Sequence, residues 1–373
     1  MIVKLAIRNL LHDRARLVVT LVGILFAVVL LAVQLGLYIG AQGMIVGMIS
    51  HTKGDIWITA LGASSFEQAP LLTGRERFTA LSVPGVESVS PMVVTFAEWR
   101  KPDTGITNVV LIGVEKGNGL EPWNIVEGDF ATTMPDGVIV DRTYLDTLGI
   151  SRVGEAAEIE NKRVRVEAMT DGIRSFTTSP YVFTTLNKAR SILSAPPDQA
   201  TFYVVKLLPG ADRERVRQEL ASRLTGISVY TKEEFLKRSL DYWLFGTGAG
   251  VALLGGALLG LIIGTVIVAQ TLYSSTKDHL TEFATLRALG SSSMYIHKVI
   301  LTQATVSALA GYVLGMAVSL VVVRFSHETA LPIMLTPKLA AALLGVTVGM
   351  CIISALSSIF KVTKIDPAMV FAR

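Results

Sequence analysis

The side chains that ordinarily do covalent or metal chemistry are few in this chain, and they are scattered. The histidines are His12, His51, His279, His297 and His327, with no ligand spacing among them. Zinc sites need clustered ligands such as H-E-x-x-H or paired cysteines, and neither pattern occurs. The single cysteine, Cys351, lies inside an apolar run, so neither a disulfide within the chain nor a thiol catalyst is expected. Ser64-Ser65 and Ser291–Ser293 have no His/Asp pairing near them in sequence for nucleophilic catalysis. No G-x-x-x-x-G-K-[ST] loop is present to cradle the phosphates of ATP. The expectation is a chain that is not an enzyme, with no catalytic residue, no metal and no cofactor of its own.

What remains is a polar segment with helical spacing, Thr276 to Ser293. Leu280, Phe283, Ala284 and Leu286 recur along one side, while Glu282 and Arg287 point elsewhere. Thr281 is a candidate cap and Gly290 a natural stop. Such a segment is either an interfacial helix or a docking knob for a partner.

The elements that must hold this segment are apolar. The chain has 373 residues, 51% hydrophobic and 17% charged, which is too apolar for an ordinary soluble protein and too charged to be membrane throughout. The net charge of +4 is modest, and no basic block suggests nucleic acid. Leu17–Ser50, Leu244–Thr276, Val299–Val323 and Leu339–Phe360 contain no Asp, Glu, Lys, Arg or His. Four membrane spans are expected. The first run is long for a signal peptide and lacks a small-x-small cleavage site, so it reads as an uncleaved anchor. About 34 helical residues reach about 50 Å, against about 30 Å of hydrocarbon, so its outer part leaves the lipid as a stalk. Gly256, Gly260 and Gly264 form a small-residue stripe for close helix packing, within the chain or between two copies of it. Gly311/Gly315 and Gly345/Gly349 repeat that spacing.

Residues 51–242 change pattern to short strands, turns and helices. Strands are expected at Gly54–Thr59, Val89–Trp99 interrupted by Pro91, Asn108–Val114, Phe202–Leu208 and Ile227–Tyr230. Glu155–Ile159 and Val164–Ala168 flank Asn161-Lys162, which suggests a hairpin. Ala211–Leu224 reads as a helix with one apolar stripe. Thr231-Lys-Glu-Glu234 is a capping box, starting a helix expected to run through Tyr242 and Trp243 into the second span as one rigid lever. The fold class is therefore four transmembrane α-helices with a large extracytoplasmic α+β domain inserted between the first and second. The expected layout is 1–16 as a basic amphipathic cytoplasmic helix, 17–50 as first span and stalk, 51–242 as the domain and 243–276 as second span. The loop 277–298, third span 299–323, outer linker 324–338, fourth span 339–360 and cytoplasmic tail 361–373 follow. Basic residues cluster before the first span, around 277–298 and after the fourth, which puts both termini and the loop inside. The spans also lack the ionisable groups that ion-driven transport needs, so energy is expected to arrive from outside the chain.

Three segments carry a resemblance. Glu282-Phe-Ala-Thr-Leu-Arg287-Ala288-Leu289-Gly290 resembles the E-x-(G/A)-x-L-R-A-(L/I)-G signature of FtsX-like/MacB-type ABC transporter permeases. Ala6-Ile-Arg8-Asn9-Leu-Leu, followed by Arg14 and Arg16, is similar to the basic N-terminal helix of that family. Lys364-Ile-Asp366-Pro367 looks like its C-terminal tail. The order of segments matches along the whole chain, and the layout is nearest to stand-alone exporter permeases of the DevC kind. The resemblance implies that Glu282–Gly290 is a coupling helix docked on a separate cytoplasmic ABC ATPase dimer, which binds ATP and Mg. Glu282 and Arg287 would fix the docking by charge and hydrogen bonding, Leu286 and Leu289 would supply apolar contact, and Phe283 and Gly290 belong to the same docking helix. It also implies an outer domain with a ferredoxin-like lobe and a second, more variable lobe. A second permease copy or a paralogue would complete the pair in the bacterial inner (cytoplasmic) membrane. A periplasmic adaptor and an outer-membrane channel complete the pathway in the MacB-like branch. The implied function is export by mechanotransmission, in which ATPase motion moves the outer domain and expels a periplasmic or outer-leaflet substrate. The FtsX branch instead regulates cell-wall hydrolases, and a lipoprotein-releasing permease is a variant of export.

Overall fold

The structure, a computed structural model, describes residues 2–102, 105–130, 136–279, 281–282, 285, 291–326 and 329–363. In chain order its elements begin with α1 (Ile2–His12) and α2 (Arg14–His51). The middle of the chain holds β1 (Ile56–Ala60), α3 (Arg75–Leu81), β2 (Val86–Arg100), β3 (Ile106–Val114), β4 (Ile125–Glu127), β5 (Gly137–Asp141) and α4 (Leu145–Leu148). It continues with β6 (Ala156–Ile159), β7 (Lys162–Thr170), β8 (Tyr181–Thr185), α5 (Leu186–Leu193), β9 (Phe202–Leu207), α6 (Arg213–Arg223), β10 (Ile227–Thr231) and α7 (Lys232–Leu240). The last helices are α8 (Ala249–Asp278), α9 (Ser293–Ser326) and α10 (Pro337–Thr363). The described residues form two compact units. One is drawn from Met1–Gly40, Val251–His327 and Pro332–Arg373, the other from Ala41–Gly250 and Glu328–Leu331.

Four helices among the described residues are long and apolar enough to cross a membrane: Arg14–His51, Ala249–Asp278, Met294–Ser326 and Pro337–Phe360. All four give residues to one cluster, including Ala27, Val28, Val268, Leu272, Ala304, Ala308, Met350 and Cys351. Side-chain oxygens stitch the helices where one backbone passes another. Ser354 Oγ donates to Thr265 O at 2.9 Å, and Tyr312 OH donates to Ala340 O at 2.9 Å. Within lipid these bonds and close packing replace the hydrophobic drive that water supplies. Asp13 separates α1 from α2, and its carboxylate accepts from Arg16 N at 3.1 Å as an N-terminal cap.

The second unit is built on one sheet of ten strands. Its first lobe follows the pattern β1-α3-β2, then β9-α6-β10, with spatial order β10-β1-β9-β2 and antiparallel pairing throughout. That is the ferredoxin-like βαββαβ arrangement. Asp212 caps α6, accepting from Glu214 N at 3.0 Å and Arg215 N at 3.2 Å. Val216 and Leu220 turn that helix onto the sheet. Strand β2 runs unbroken through Pro91. Its ladder with β3 starts only at Met92, so one side of the proline has no pairing to lose.

The second lobe fills the long insertion between β2 and β9. Strands pair in the sequence β2-β3-β8-β5-β7-β6, and β6 returns to β2 through Trp99↔Ile159 and Arg100↔Glu158. The six strands thus close into a ring. Each contributes to one core cluster, among them Val93, Trp99, Leu111, Val140, Ile159, Val166 and Val182. The alternate residues Met92, Val94, Val110, Ile112, Ile139 and Phe183 join a second cluster, as the two-residue period of a strand requires. The β6–β7 hairpin turns at Glu160 (φ 50) and Asn161 (φ 61), a left-handed pair suited to a type I′ turn.

The lever expected from α7 into the second span is not continuous. Thr231 and Glu234 do form the capping box. After Leu240, however, Asp241–Gly246 winds as a π-helical turn, and Gly248 adopts φ +80 before α8 begins. That conformation is open to glycine and ends a helix. The sequence Gly246-Thr-Gly248 carried this break, outweighed by the apolar run around it.

Candidate functional site

The loop between α8 and α9 is the segment singled out by its sequence. Phe283, Leu286, Arg287, Leu289 and Gly290 lie outside the described residues. Of the proposed docking residues Glu282 is described. Thr281, Glu282 and Thr285 are helical, and Thr285 Oγ1 donates to Thr281 O at 2.9 Å. Thr281 is thus already within the helix rather than its cap. Glu282 is exposed, and its Oε2 lies 3.2 Å from His279 Nδ1.

The base of the loop is tied to the corner between α1 and α2. Arg16 Nη2 donates to Asp278 Oδ2 at 2.5 Å and lies 3.3 Å from Asp13 Oδ2. Asp278 is the last residue of α8, so this pair joins the start of the first span to the end of the second. His12, at the end of α1, brings its ring to 6.3 Å from that of the buried His279. With Asp278 more than half exposed, the Arg16 pair contributes up to about 1 kcal/mol. The pair fixes the end of α8 beside the corner between α1 and α2.

The glycine stripe lies where α8 meets α2 of the same chain. A Cβ placed on Gly256 would come 2.6 Å from Gln34 Nε2, on Gly260 2.9 Å from Leu30 Cδ2, and on Gly264 2.5 Å from Ala27 Cβ. Gly311 and Gly315 on α9 are likewise filled, by Ile24 and Val28 of α2. The first span is thus seated against glycines on two neighbours. Gly345 and Gly349 on α10 have nothing within 4 Å of such a Cβ.

Sequence reasoning missed the polar centre of the soluble domain. Glu67 is buried and accepts from Ser175 Oγ at 2.6 Å, Thr177 Oγ1 at 2.9 Å and the Tyr181 hydroxyl. Burial, with Glu67 beside it, pushes the Tyr181 phenol well above its usual range. Burial pushes the nearby Tyr144 up to about 12. The partners of Glu67 stand more than 100 positions away, so no local motif announces them. The geometry ties two loops of the domain together. A cleft of about 650 Å³ lies by Glu115, Lys116, Thr185 and Lys188. There Asp136 pairs with Lys188 at 2.6 Å, and that hydrogen bond holds its carboxyl below the usual range.

Comparison with known proteins gives these arrangements a family. The model of the MacB-like periplasmic core domain matches residues 17–223, more than half of the chain, and that of the FtsX-like permease C-terminal region matches residues 254–367. An uncharacterized ABC transporter permease of Mycobacterium tuberculosis is 24% identical over 376 residues, covering 98% of each chain. A second from that organism is 23% identical over 384 residues, again with 98% of each chain covered. The crystal structure of the periplasmic region of MacB from Actinobacillus actinomycetemcomitans aligns with a TM-score of 0.40 and 10% identity, over 51% of this chain and 94% of that one. A four-helix membrane unit, a large α/β domain between its first and second spans, and both family models in this order lead to one assignment: the chain is a multi-pass ABC transporter permease of the FtsX/MacB type.

Proposed function

We propose that this permease converts the motion of a separate cytoplasmic ATPase dimer into movement of its soluble domain, which expels a substrate from the outer leaflet or the periplasm. The observation that carries the reading is the Arg16–Asp278 pair. It fastens the base of the Glu282–Gly290 segment to the start of α2, the helix that leads into the domain. A push on the segment would then reach the first span without crossing the lipid-facing surfaces. In this reading both termini and the 277–298 loop are cytoplasmic, following the basic residues that flank the spans. Two copies, or one copy and a paralogue, would each dock one ATPase subunit.

The test is co-purification in mild detergent from the native host, with ATP hydrolysis assayed on the eluate. An ATPase should co-elute with the wild-type chain and be lost with Arg287→Glu. Finding no ATPase with the wild-type chain, under conditions that hold comparable complexes together, would sink the proposal. A co-eluting adaptor selects export, whereas a co-eluting wall hydrolase selects a regulatory output.

A further inference from the structure

Any helix ends in carbonyls that no further turn satisfies. At the end of the 38-residue α2 one side chain takes a carbonyl of the last turn and the carbonyl just beyond it. Lys232 Nζ donates to Ser50 O at 2.8 Å and to Thr52 O at 2.7 Å. The ammonium also sits at the negative end of the helix dipole. Lys232 is the first residue of α7, and its own N–H donates to Asp55 O at 3.0 Å. Residues 50–55 are thus bound to the start of a helix some 180 positions along the chain. The same corner is buttressed twice more. Arg213 Nη1 donates to Glu233 at 2.7 Å and Arg213 Nη2 lies 3.9 Å from Asp55, while the Phe235 ring packs 5.1 Å from that of Trp57. Partial burial pushes the Lys232 ammonium below its usual range.

The two connections between spans and domain therefore differ. Helix α2 is uninterrupted to His51 and clamped at its end. The path from α7 to α8 passes through the π-helical turn and Gly248. We propose that Lys232 is a positioning residue that makes the end of α2 and α7 move as one body, so that displacement of the first span enters the domain here, while residues 247–248 act as the joint. This rests on the transmission reading given above.

The experiment uses the full chain with its co-purified ATPase in nanodiscs, with Cys351 replaced by Ala. Spin labels at Phe78 and Phe325, both strongly exposed, report the distance between domain and membrane unit. Distances are compared in ADP and in ATP with Mg and vanadate. The expected result is a nucleotide-dependent shift in the parent chain, reduced by at least half in Lys232→Met and restored in Lys232→Arg. No shift in the parent chain overturns the transmission reading itself. A full shift in Lys232→Met overturns the role of Lys232 and leaves that reading standing. Should Lys232→Met lose the native tryptophan emission, Lys232→Gln replaces it, and a full shift there overturns the role equally.

Discussion

The soluble domain is filled with large side chains, and the membrane bundle is fitted together with small ones. In the domain, Trp57 is buried among Phe66, Phe202 and Phe235, with ring centroids 5.1 to 6.2 Å away. In the bundle, α2 meets α8 across Gly256, Gly260 and Gly264, and the shared cluster is rich in alanine. The difference follows from the solvent each region faces. In water, apolar area removed from solvent drives packing, at about 25 cal/mol per Å², so bulky rings contribute most. In lipid the tails are as apolar as leucine, and stability comes from how closely backbones approach. One chain therefore holds two packing codes, and a substitution harmless under one is damaging under the other.

The chain carries a separate natural probe for each region. All four tryptophans, Trp57, Trp99, Trp123 and Trp243, belong to the unit formed by Ala41–Gly250. The only cysteine, Cys351, is buried in the bundle cluster. The largest effect is expected from Phe202→Ala. The ring is fully buried and touches three aromatic neighbours, so its loss should cost about 3–5 kcal/mol. The denaturant midpoint of tryptophan emission should fall sharply while maleimide labelling of Cys351 stays slow. Equal loss of both signals would show that the regions do not have separable stabilities.

The converse change is Gly264→Leu. Even a Cβ there meets Ala27 at 2.5 Å and Met350 Sδ at 3.3 Å, and the rest of a leucine has no room. Overpacking of this kind costs about 1–3 kcal/mol. Cys351, next to Met350, should label several-fold faster while the tryptophan midpoint is unchanged. Unaltered labelling would mean that α2 and α8 are not in close contact in the membrane.

These two codes were unequally legible. The spans announce themselves as charge-free runs, and the first lobe shows its strand–helix–strand near 202–230, followed by the capping box at Thr231. Strands β5 and β8 did not stand out. Gly137–Asp141 is buried throughout and Tyr181–Thr185 nearly so, so neither alternates, and a run of only three apolar residues in each has no period to measure. The return of β6 onto β2, which closes the ring, depends on pairing across about 60 positions. The glycine spacing was visible, but spacing alone does not say which helix fills it. The Glu67 cluster was invisible for the same reason, since its donors come from a distant loop.

The smallest effect is expected where the second code has no neighbour to satisfy. Gly345 has the same spacing to Gly349 as Gly260 has to Gly264, yet a Cβ there meets nothing within 4 Å. Sequence alone would rank the two stripes as equals. Gly345→Leu should leave Cys351 labelling within twofold of the parent chain and stability within about 0.5 kcal/mol, because an added side chain meets no other helix of this chain. Measured beside Gly264→Leu in the same membrane, it isolates contact from composition, since both variants remove a glycine from a span and add the same apolar group. Comparable acceleration in both would mean that glycine itself, through backbone flexibility, sets the bundle's stability. A rise confined to Gly264→Leu assigns the effect to the approach of α2 and α8.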